Sequence, residues 1–224
     1  MRFEGNPEVL RNLWRKKDLL EAGDTGHCRY RTALLSCTGI IRGVYGVGQK
    51  FALHQAGLNQ VFDVALGVST GLPAICYLLT GQERQSIYWK EAISPEFMSW
   101  KRFFIGKGPL VDIDYICRVF EDIDQKLLRS SRTQLFAGAT CAETGLPIFL
   151  DVKNDHADAT EVIKASIAMP TFKSPVEVGG RFCIDGATAL TFPVRQLIEK
   201  WAPTDLLVLA NRAGFSKRWA FSTD

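Results

Sequence analysis

The chain has 224 residues, 46% of them hydrophobic, which is enough for one globular domain with a sizeable buried core. Its net charge of +3 is too small to argue for a nucleic-acid partner. The first 24 residues are polar and charged, without the apolar segment of a secretory signal, and no apolar run reaches the ~18 residues of a membrane-spanning helix. We therefore expect a cytoplasmic protein, with peripheral membrane contact left open.

Six cysteines are present, and none belongs to a C-x-x-C pair. Most of them fall in apolar patterns, so we interpret them as buried free thiols in a reducing compartment. Zinc is not expected, and the sequence predicts no metal and no other cofactor. Their positions are Cys28, Cys37, Cys76, Cys117, Cys141 and Cys183.

The first predicted β-loop-α unit follows an N-terminal extension over residues 1–30, which has room for one helix. Residues 33–37 form a short buried strand pattern, and a helical pattern runs from about 44 to 55. The loop between them, Thr38 to Gly43, would expose backbone N–H groups at a helix N-terminus, which suits an oxyanion hole. A purely structural turn is the alternative. Nucleotide binding is not predicted, because the loop lacks both G-x-G-x-x-G and the Walker lysine.

The second unit contains Gly67-Val68-Ser69-Thr70-Gly71, between an apolar run at 61–66 and a helical pattern at 72–79. A serine between two glycines at a strand-to-helix turn is typical of a nucleophile elbow. The pentapeptide alone is a weak signal, and the strand before and helix after it strengthen the prediction. Two successive units of this kind predict parallel strands and a three-layer α/β/α sandwich with a mainly parallel central sheet.

A serine hydroxyl needs a base, and the chain has only His27, His54 and His156. Only His156 follows Ser69, and it lies in a polar stretch that predicts a surface loop. His54 falls in a helical pattern that favours a structural role. A histidine triad is therefore poorly supported, and a carboxylate base is an alternative.

Residues 97–107 mix aromatic side chains with Lys101, Arg102 and Lys107. We favour core aromatics with solvated cations between them. The alternative is a lid or a contact with the surface of an anionic bilayer, for which aromatic and basic residues are suited.

The remaining elements are predicted from periodicity and from turn residues. Helices are predicted over residues 83–92, 114–128, 159–168 and 193–201, and strands over 133–139, 148–152, 176–178, 181–184 and 205–210. Asp185 ends one of these strands, and Gly186 permits an abrupt change of direction after it. Taken alone, Asp-Gly at this place favours an ordinary turn.

In this order the three motifs resemble those of the patatin-like phospholipase family, over about residues 32–214. The resemblance implies a Ser–Asp dyad with Ser69 as nucleophile and Asp185 as base, and backbone N–H groups of Gly39, Ile40 and Thr70 as oxyanion donors. Motif positions that support the match are Arg42, Gly43, Gly67, Gly71, Gly186 and the segment 165–170, which is similar to the family's A-S-x-A-x-P.

The resemblance implies a domain over 31–214, followed by a tail over 215–224 whose short end is either natural or truncated. It also implies a lipid acyl hydrolase that works through a covalent acyl-enzyme on a lipid or small ester, without a cofactor. The family's loop begins with three glycines, where this chain has Thr38, Gly39 and Ile40. A catalytically weak or inactive protein that binds lipid or a partner is therefore the alternative. An esterase for soluble esters is a second one, favoured if 97–107 is buried.

Overall fold

Two fully buried strands, β1 (Thr32–Ser36) and β2 (Val64–Val68), form the centre of the structure, which is a computed structural model. It describes residues 5–24, 29–39, 42–82, 90–153 and 158–211. β1 pairs in parallel with β2, and β2 pairs in parallel with the long strand β3. The later strands are β3 (Gln134–Cys141), β4 (Pro147–Asp151), β5 (Val176–Val178), β6 (Arg181–Asp185) and β7 (Asp205–Leu209).

The seven strands make one mixed sheet with the hydrogen-bonded order β5-β6-β3-β2-β1-β7, and β4 also pairs with β3. The four strands β3, β2, β1 and β7 are mutually parallel, whereas β4 and β6 run antiparallel to β3. The predicted α/β class and the mainly parallel central sheet are confirmed. Two pairs of strands that are consecutive in the chain, β3–β4 and β5–β6, are antiparallel hairpins.

Helices cover both faces of the sheet. Alternate residues of each central strand point to opposite faces and so enter different hydrophobic clusters. The helices are α1 (Pro7–Glu21), α2 (Gly43–Gln55), α3 (Gly71–Thr80), α4 (Trp100–Phe104), α5 (Ile113–Val119), α6 (Gln125–Ser130), α7 (Ala159–Ser166) and α8 (Val194–Trp201). Leu34 and Ala65 lie in the larger cluster with residues of α1 to α3, whereas Leu35 and Leu66 lie in a second cluster with Leu197 of α8.

Helix α1 packs against the sheet. Leu13 is buried in the larger cluster, and the buried Lys16 ammonium makes an ion pair with Asp63 just before β2. The same ammonium donates to the Thr32 hydroxyl at the start of β1, at 3.0 Å. The domain boundary at residue 31 stays a prediction, but the helix within the predicted extension is anchored to the strands that carry the site.

The single helix predicted over 114–128 is wrong. The chain turns from α5 into a 3₁₀ turn, Phe120–Asp122, and leaves helical geometry at Ile123, whose ψ is 122°. Asp124 then caps a new helix, since its side chain accepts the N–H of Leu127 at 2.9 Å. Aspartate forms such caps readily, so it can begin a helix inside a continuous helical pattern. Most of the helix predicted over 83–92 lies outside the described residues.

The favoured prediction for 97–107 is also wrong. Phe97 is buried, but the exposed fractions of Trp100, Phe103, Phe104 and Ile105 are 57, 49, 76 and 54%. Helix α4 has no buried residue. The exposed side chains of the segment therefore form an apolar surface and do not belong to the core. Within the described residues, no helix is both long and apolar enough to cross a bilayer.

The sheet brings β2 and β6 together end to end. The N–H groups of even-numbered residues along β3 point to one edge of the strand. Gln134 N–H donates to Asp63 O beside β2, and Ala142 N–H, just after β3, donates to Phe182 O of β6. The odd-numbered N–H of Cys141 donates to Leu146 O on the β4 edge. Because successive N–H groups of a strand alternate in direction, β2 and β6 share one edge of β3.

The register makes the ends of these two strands adjacent. Val68, the last residue of β2, pairs with Gly138, and Asp185, the last residue of β6, pairs with the next residue of β3, Ala139. The two strands run in opposite directions, so their carboxyl ends meet. This arrangement places Ser69 and Asp185 side by side, although 116 positions separate them in sequence.

Candidate active site

Ser69 lies in the tight turn between β2 and α3. Its φ is 53°, in the left-handed region that a residue with a Cβ enters only at a cost of roughly 1–2 kcal/mol. The turn is closed by Leu72 N–H, which donates to Ser69 O at 3.0 Å. A strained serine between a buried strand and a buried helix has the geometry expected of a nucleophile elbow.

Glycines allow this turn to lie directly against neighbouring backbone. A Cβ on Gly71 would lie 2.3 Å from Ser36 O, at the end of β1, and a Cβ on Gly67 would lie 2.4 Å from Leu72 Cα. Gly186 is equally close to the sheet, since its Cβ would lie 2.2 Å from Gly138 O. Any larger residue would push apart the elements that carry Ser69 and Asp185.

The Ser69 hydroxyl donates to Asp185 Oδ2 at 2.8 Å, and both side chains are buried. The second carboxylate oxygen, Oδ1, accepts the N–H of Ala187 at 2.7 Å. Asp185 N–H in turn donates to Ala168 O at 2.8 Å. The carboxylate is thus fixed on both sides, with one oxygen held by the backbone and the other directed at the serine.

Burial raises the pKa of Asp185 above its ordinary value, and the hydrogen bonds from Ala187 N–H and the Ser69 hydroxyl oppose that rise. A carboxylate with an ordinary pKa is a weak base at neutral pH, so the shift increases its ability to accept a proton. Desolvation therefore strengthens the carboxylate as a base, and the hydrogen bond places Oδ2 at the serine hydroxyl.

Ser166 braces the elbow from behind. Its hydroxyl accepts Ser69 N–H at 3.1 Å and donates to Gly138 O at 2.7 Å, so it links the turn to β3. The segment 165–170 resembled a family motif, but no role for Ser166 was predicted. The signal was present in the motif, whereas the function of the hydroxyl depends on contacts between distant residues.

The predicted oxyanion donors lie on two elements. Gly39 lies after β1 and its carbonyl accepts Arg42 N–H at 2.9 Å, and the buried Gly43 begins α2. Thr70 is the N-cap of α3, and no hydrogen bond to its buried hydroxyl oxygen is present among the described residues. Ile40 lies outside the described residues, so its predicted donor role stays a prediction. The Arg42 side chain is exposed.

The buried side chains of Asn211 and Lys50 lie beside the segment that follows β1, and no sequence pattern pointed to either. Asn211 follows β7, and its buried Nδ2 donates to Cys37 O at 2.6 Å. A Cβ on Gly39 would lie 2.7 Å from Asn211 Cβ, so the side chain fills the space beneath the loop. The fully buried Lys50 ammonium donates to Gly46 O at 3.2 Å. Burial lowers the pKa of Lys50 to about 7, and Cys37 opposes that shift.

His54 does not lie near the serine. It is on α2, and its Cε1 is the atom that a Cβ on Gly81 would meet, at 3.4 Å. Gly81 follows the C-terminal end of α3, about 15 Å along the helix from Ser69. His27 and His156 lie outside the described residues. Within the described ranges, no group of three or more His, Cys, Asp and Glu side chains is arranged to hold a metal ion.

Comparison with known proteins gives the relationship. The family model for patatin-like phospholipase matches residues 37–198, which include the loop after β1, Ser69 and Asp185. The chain belongs to the patatin-like phospholipase family. This family consists of lipid acyl hydrolases, so the chain is related to enzymes that hydrolyse lipid esters. The resemblance proposed from its motifs is thereby confirmed.

Among solved structures, this patatin-like chain is similar to VipD from Legionella pneumophila. The match has a TM-score of 0.48 and 12% identity over 70% of this chain, and it spans 46% of the VipD chain, less than half of that protein. A search of curated proteins returned no match. The family assignment therefore depends on the family model, with which the sheet and its flanking helices agree.

Proposed function

We propose that this patatin-like protein is a lipid acyl hydrolase in which Ser69 attacks the ester carbonyl and Asp185 accepts its proton. The observation that carries the proposal is the 2.8 Å hydrogen bond between Ser69 Oγ and Asp185 Oδ2 in a buried elbow. The family match supports the substrate class, a carboxylic ester of a lipid. The proposal requires no metal and no other cofactor.

The proposed cycle has two steps. Ser69 Oγ bonds to the carbonyl carbon as its proton passes to Asp185 Oδ2, and the alcohol then leaves with that proton to give an acyl-enzyme. Water, deprotonated by the same carboxylate, next attacks the acyl carbon; the bond from that carbon to Ser69 Oγ breaks, the proton passes from Asp185 to Oγ, and the fatty acid is released. The N–H of Thr70 at the start of α3, with N–H groups near Gly39 and Ile40, would stabilise the oxyanion in each step.

A fluorophosphonate probe tests the proposal, because it reacts covalently with activated serines. We expect one label on the wild-type chain at Ser69, and none on Ser69→Ala. Ser130→Ala is the matched control, since Ser130 is exposed and lies outside the site. Hydrolysis of a p-nitrophenyl ester should be lost in Ser69→Ala alone. If Ser69→Ala hydrolysed the ester at the wild-type rate, the assignment would be wrong.

The alternative is a non-catalytic member of the fold that binds lipid or a partner. It is favoured by one departure from the family pattern, namely Thr38 and Ile40 in place of glycines. It predicts that folded wild-type protein takes no label. The second alternative, an esterase for soluble esters, would be favoured by burial of residues 97–107, and four large apolar side chains there are exposed.

We propose in addition that the protein contacts lipid through helix α4 and Ile105, which together we call the aromatic surface. Trp100 and Phe104 stack with ring centroids 5.8 Å apart, and Phe103 packs edge-on against Phe104 at 5.7 Å. The segment 97–107 contains three cations and no acidic residue. Clustered aromatics with adjacent positive charge suit the interface of an anionic bilayer.

The aromatic surface stands on a fixed loop. The Arg102 guanidinium donates to four backbone carbonyls, including Pro109 O at 3.0 Å and Glu96 O at 2.9 Å. Ser99 caps α4 by accepting Arg102 N–H at 3.2 Å. Arg102 is therefore occupied within the loop, which leaves the exposed Lys101 and Lys107 to face lipid phosphate.

Vesicle co-sedimentation tests this contact. We expect Ser69→Ala to bind phosphatidylglycerol vesicles and to bind phosphatidylcholine vesicles at least tenfold more weakly. Adding Phe104→Ser should lower binding several-fold. Adding Leu146→Ser, which removes an equally exposed apolar side chain elsewhere, should not. Equal loss in both variants would refute the contact without affecting the assignment of the dyad.

A further inference from the structure

Cys141 and Cys183 lie directly opposite each other in the antiparallel pair of β3 and β6. The neighbouring residues Ala142 and Phe182 form a hydrogen-bonded pair, since Ala142 N–H donates to Phe182 O at 2.8 Å. Cys141 N–H points to the other edge of β3, where it donates to Leu146 O. The two cysteines are therefore a non-hydrogen-bonded pair, the type in which Cα atoms lie about 4.5 Å apart.

This spacing falls within the roughly 4.4–6.8 Å between Cα atoms that a disulfide spans. Side chains of a directly opposed pair stand on the same face of the sheet, so the two Cβ atoms face each other. Both thiols are free in the structure. We infer that Cys141 and Cys183 form a reversible cross-strand disulfide when the protein meets a small-molecule disulfide such as glutathione disulfide.

The two thiols have different surroundings, which suit them to successive steps. Cys141 is partly exposed and precedes an exposed turn, whereas Cys183 is fully buried. The Thr144 hydroxyl, together with backbone N–H groups of Thr144 and Glu143, lowers the pKa of Cys141. Burial raises the pKa of Cys183. Cys141 is thus the accessible thiolate that attacks first, and Cys183 is the resolving thiol.

The thiol–disulfide exchange requires no reactant other than glutathione disulfide. The Cys141 thiolate attacks one sulfur of glutathione disulfide, which forms a mixed disulfide and releases one glutathione thiolate. Cys183 then loses its proton and attacks Cys141 Sγ, which forms the Cys141–Cys183 bond and releases the second glutathione. The two cysteines are oxidised, and one glutathione disulfide is reduced to two thiols.

The disulfide would secure the strand that carries the proposed base. β6 pairs with β3 through only three residues, and Asp185 is two positions after Cys183. A covalent link at the first of these pairs closes a long segment of chain, which restricts the unfolded state. We therefore expect the oxidised protein to melt about 5 °C or more above the reduced one.

The test uses the full chain, reduced and then incubated with glutathione disulfide while folded. Peptide mapping by mass spectrometry should find Cys141 linked to Cys183, and dithiothreitol should reverse both the link and the rise in melting temperature. The readout is covalent structure, so it does not depend on hydrolase activity. Two free thiols, glutathione left on Cys141 of the wild type, or a link from either cysteine to another would overturn the inference.

Single variants separate the two roles. Cys183→Ser should keep one glutathione on Cys141, because no thiol can resolve the mixed disulfide. Cys141→Ser should leave Cys183 unmodified, because the buried thiol cannot be reached from solvent. Neither variant should gain thermal stability on oxidation. Modification of Cys183 in the folded Cys141→Ser variant would contradict the proposed order of attack.

Discussion

The turn that carries Ser69 and the loop after β1, which are the proposed sources of the nucleophile and of oxyanion donors, are held by different contacts. The turn is held by backbone packed on backbone: Gly71 lies against Ser36 O, and Gly186 lies against Gly138 O. The loop is held by side chains, since Asn211 binds Cys37 O and fills the space beneath Gly39. Close main-chain contacts at glycines are therefore the main constraint near Ser69, with the Ser166 hydroxyl as a brace, whereas a side chain supports the loop after β1.

This difference explains how the two regions can tolerate different substitutions. The glycines beside Ser69 cannot be replaced by larger residues, because a side chain there would collide with main-chain atoms that cannot move alone. In the loop, a side chain such as Thr38 stands where the family has glycine, and buried polar groups supply the support. Departures from the family pattern are accordingly found in the loop, and the G-x-S-x-G turn is complete.

The largest effect is expected from Gly71→Ala. Its methyl group would lie 2.3 Å from Ser36 O, so β1 and α3 must separate, and we expect several kcal/mol of destabilisation with little folded protein. Gly46→Ala is the matched change on the loop side, where the obstacles are the ends of Asn211 and Lys50 at 2.4 and 2.9 Å. Because these obstacles are side-chain ends and alanine favours helix, Gly46→Ala should destabilise the protein less than Gly71→Ala does. Equal destabilisation in both variants would contradict the comparison.

Asp185→Asn should reduce kcat by about 10²–10⁴, the usual contribution of a general base. The amide can still accept Ala187 N–H and contact Ser69, so the fold should remain. Wild-type kcat/KM should rise with pH through the raised pKa of Asp185 and then level off, since the carboxylate acts when deprotonated. The asparagine variant should show no such rise. Ester hydrolysis measured from pH 4 to pH 9 checks both expectations.

The same substitution separates activity from stability. A carboxyl whose pKa is raised on folding binds more protons folded than unfolded, so its contribution to stability is lost as pH rises through that range. At neutral pH the buried charge is therefore a cost that asparagine removes. The melting temperature of Asp185→Asn at pH 7.5 should equal or exceed that of the wild type. A marked fall would mean that Asp185 is primarily structural.

The parts of the fold and site that could be predicted are those encoded locally. The Ser69 turn lies between a buried strand and a helix that each have a clear pattern, and Asp185 ends a strand at an Asp-Gly pair. What joins them is the end-to-end arrangement of β2 and β6 on β3, which depends on hydrogen bonds between distant strands. Family resemblance, and not periodicity, led to the pairing of Ser69 with Asp185.

The predictions that failed did so for physical reasons. Aromatic residues in 97–107 indicated a core, yet the Arg102 contacts fix the loop so that Trp100 and Phe104 remain exposed. Asn211 and Lys50 were missed because an isolated polar residue near a strand end or inside a helix gives no signal. Their function is visible only once β7 and α2 lie next to the loop after β1.

Lys50→Met tests the protonation of the buried amine that lies next to Asn211 beneath the loop. Burial lowers the pKa of Lys50 to about 7, so between pH 7 and about 10.5 the unfolded chain binds the extra proton and stability should rise with pH. The rise is up to about 4 kcal/mol and should be absent from Lys50→Met, which should be the more stable protein at pH 7. Urea titrations of both proteins at pH 7 and pH 9.5 measure the difference. Parallel pH dependence in the two proteins would show that Lys50 is charged and solvated.

The smallest effect is expected from Asn211→Ala, which removes the donor to Cys37 O and empties the space beneath Gly39. Loss of one hydrogen bond to a buried carbonyl costs about 1–3 kcal/mol, and we expect part of this cost to lower the free energy of unfolding. Displacement of the proposed oxyanion donors should lower kcat about tenfold and leave KM unchanged, because such donors would act on the transition state. Asn211→Asp keeps the size but cannot donate to Cys37 O, so it should lose as much kcat as alanine. If Asn211→Asp kept full activity, filling the space would be sufficient, and the hydrogen bond would not be what positions the loop.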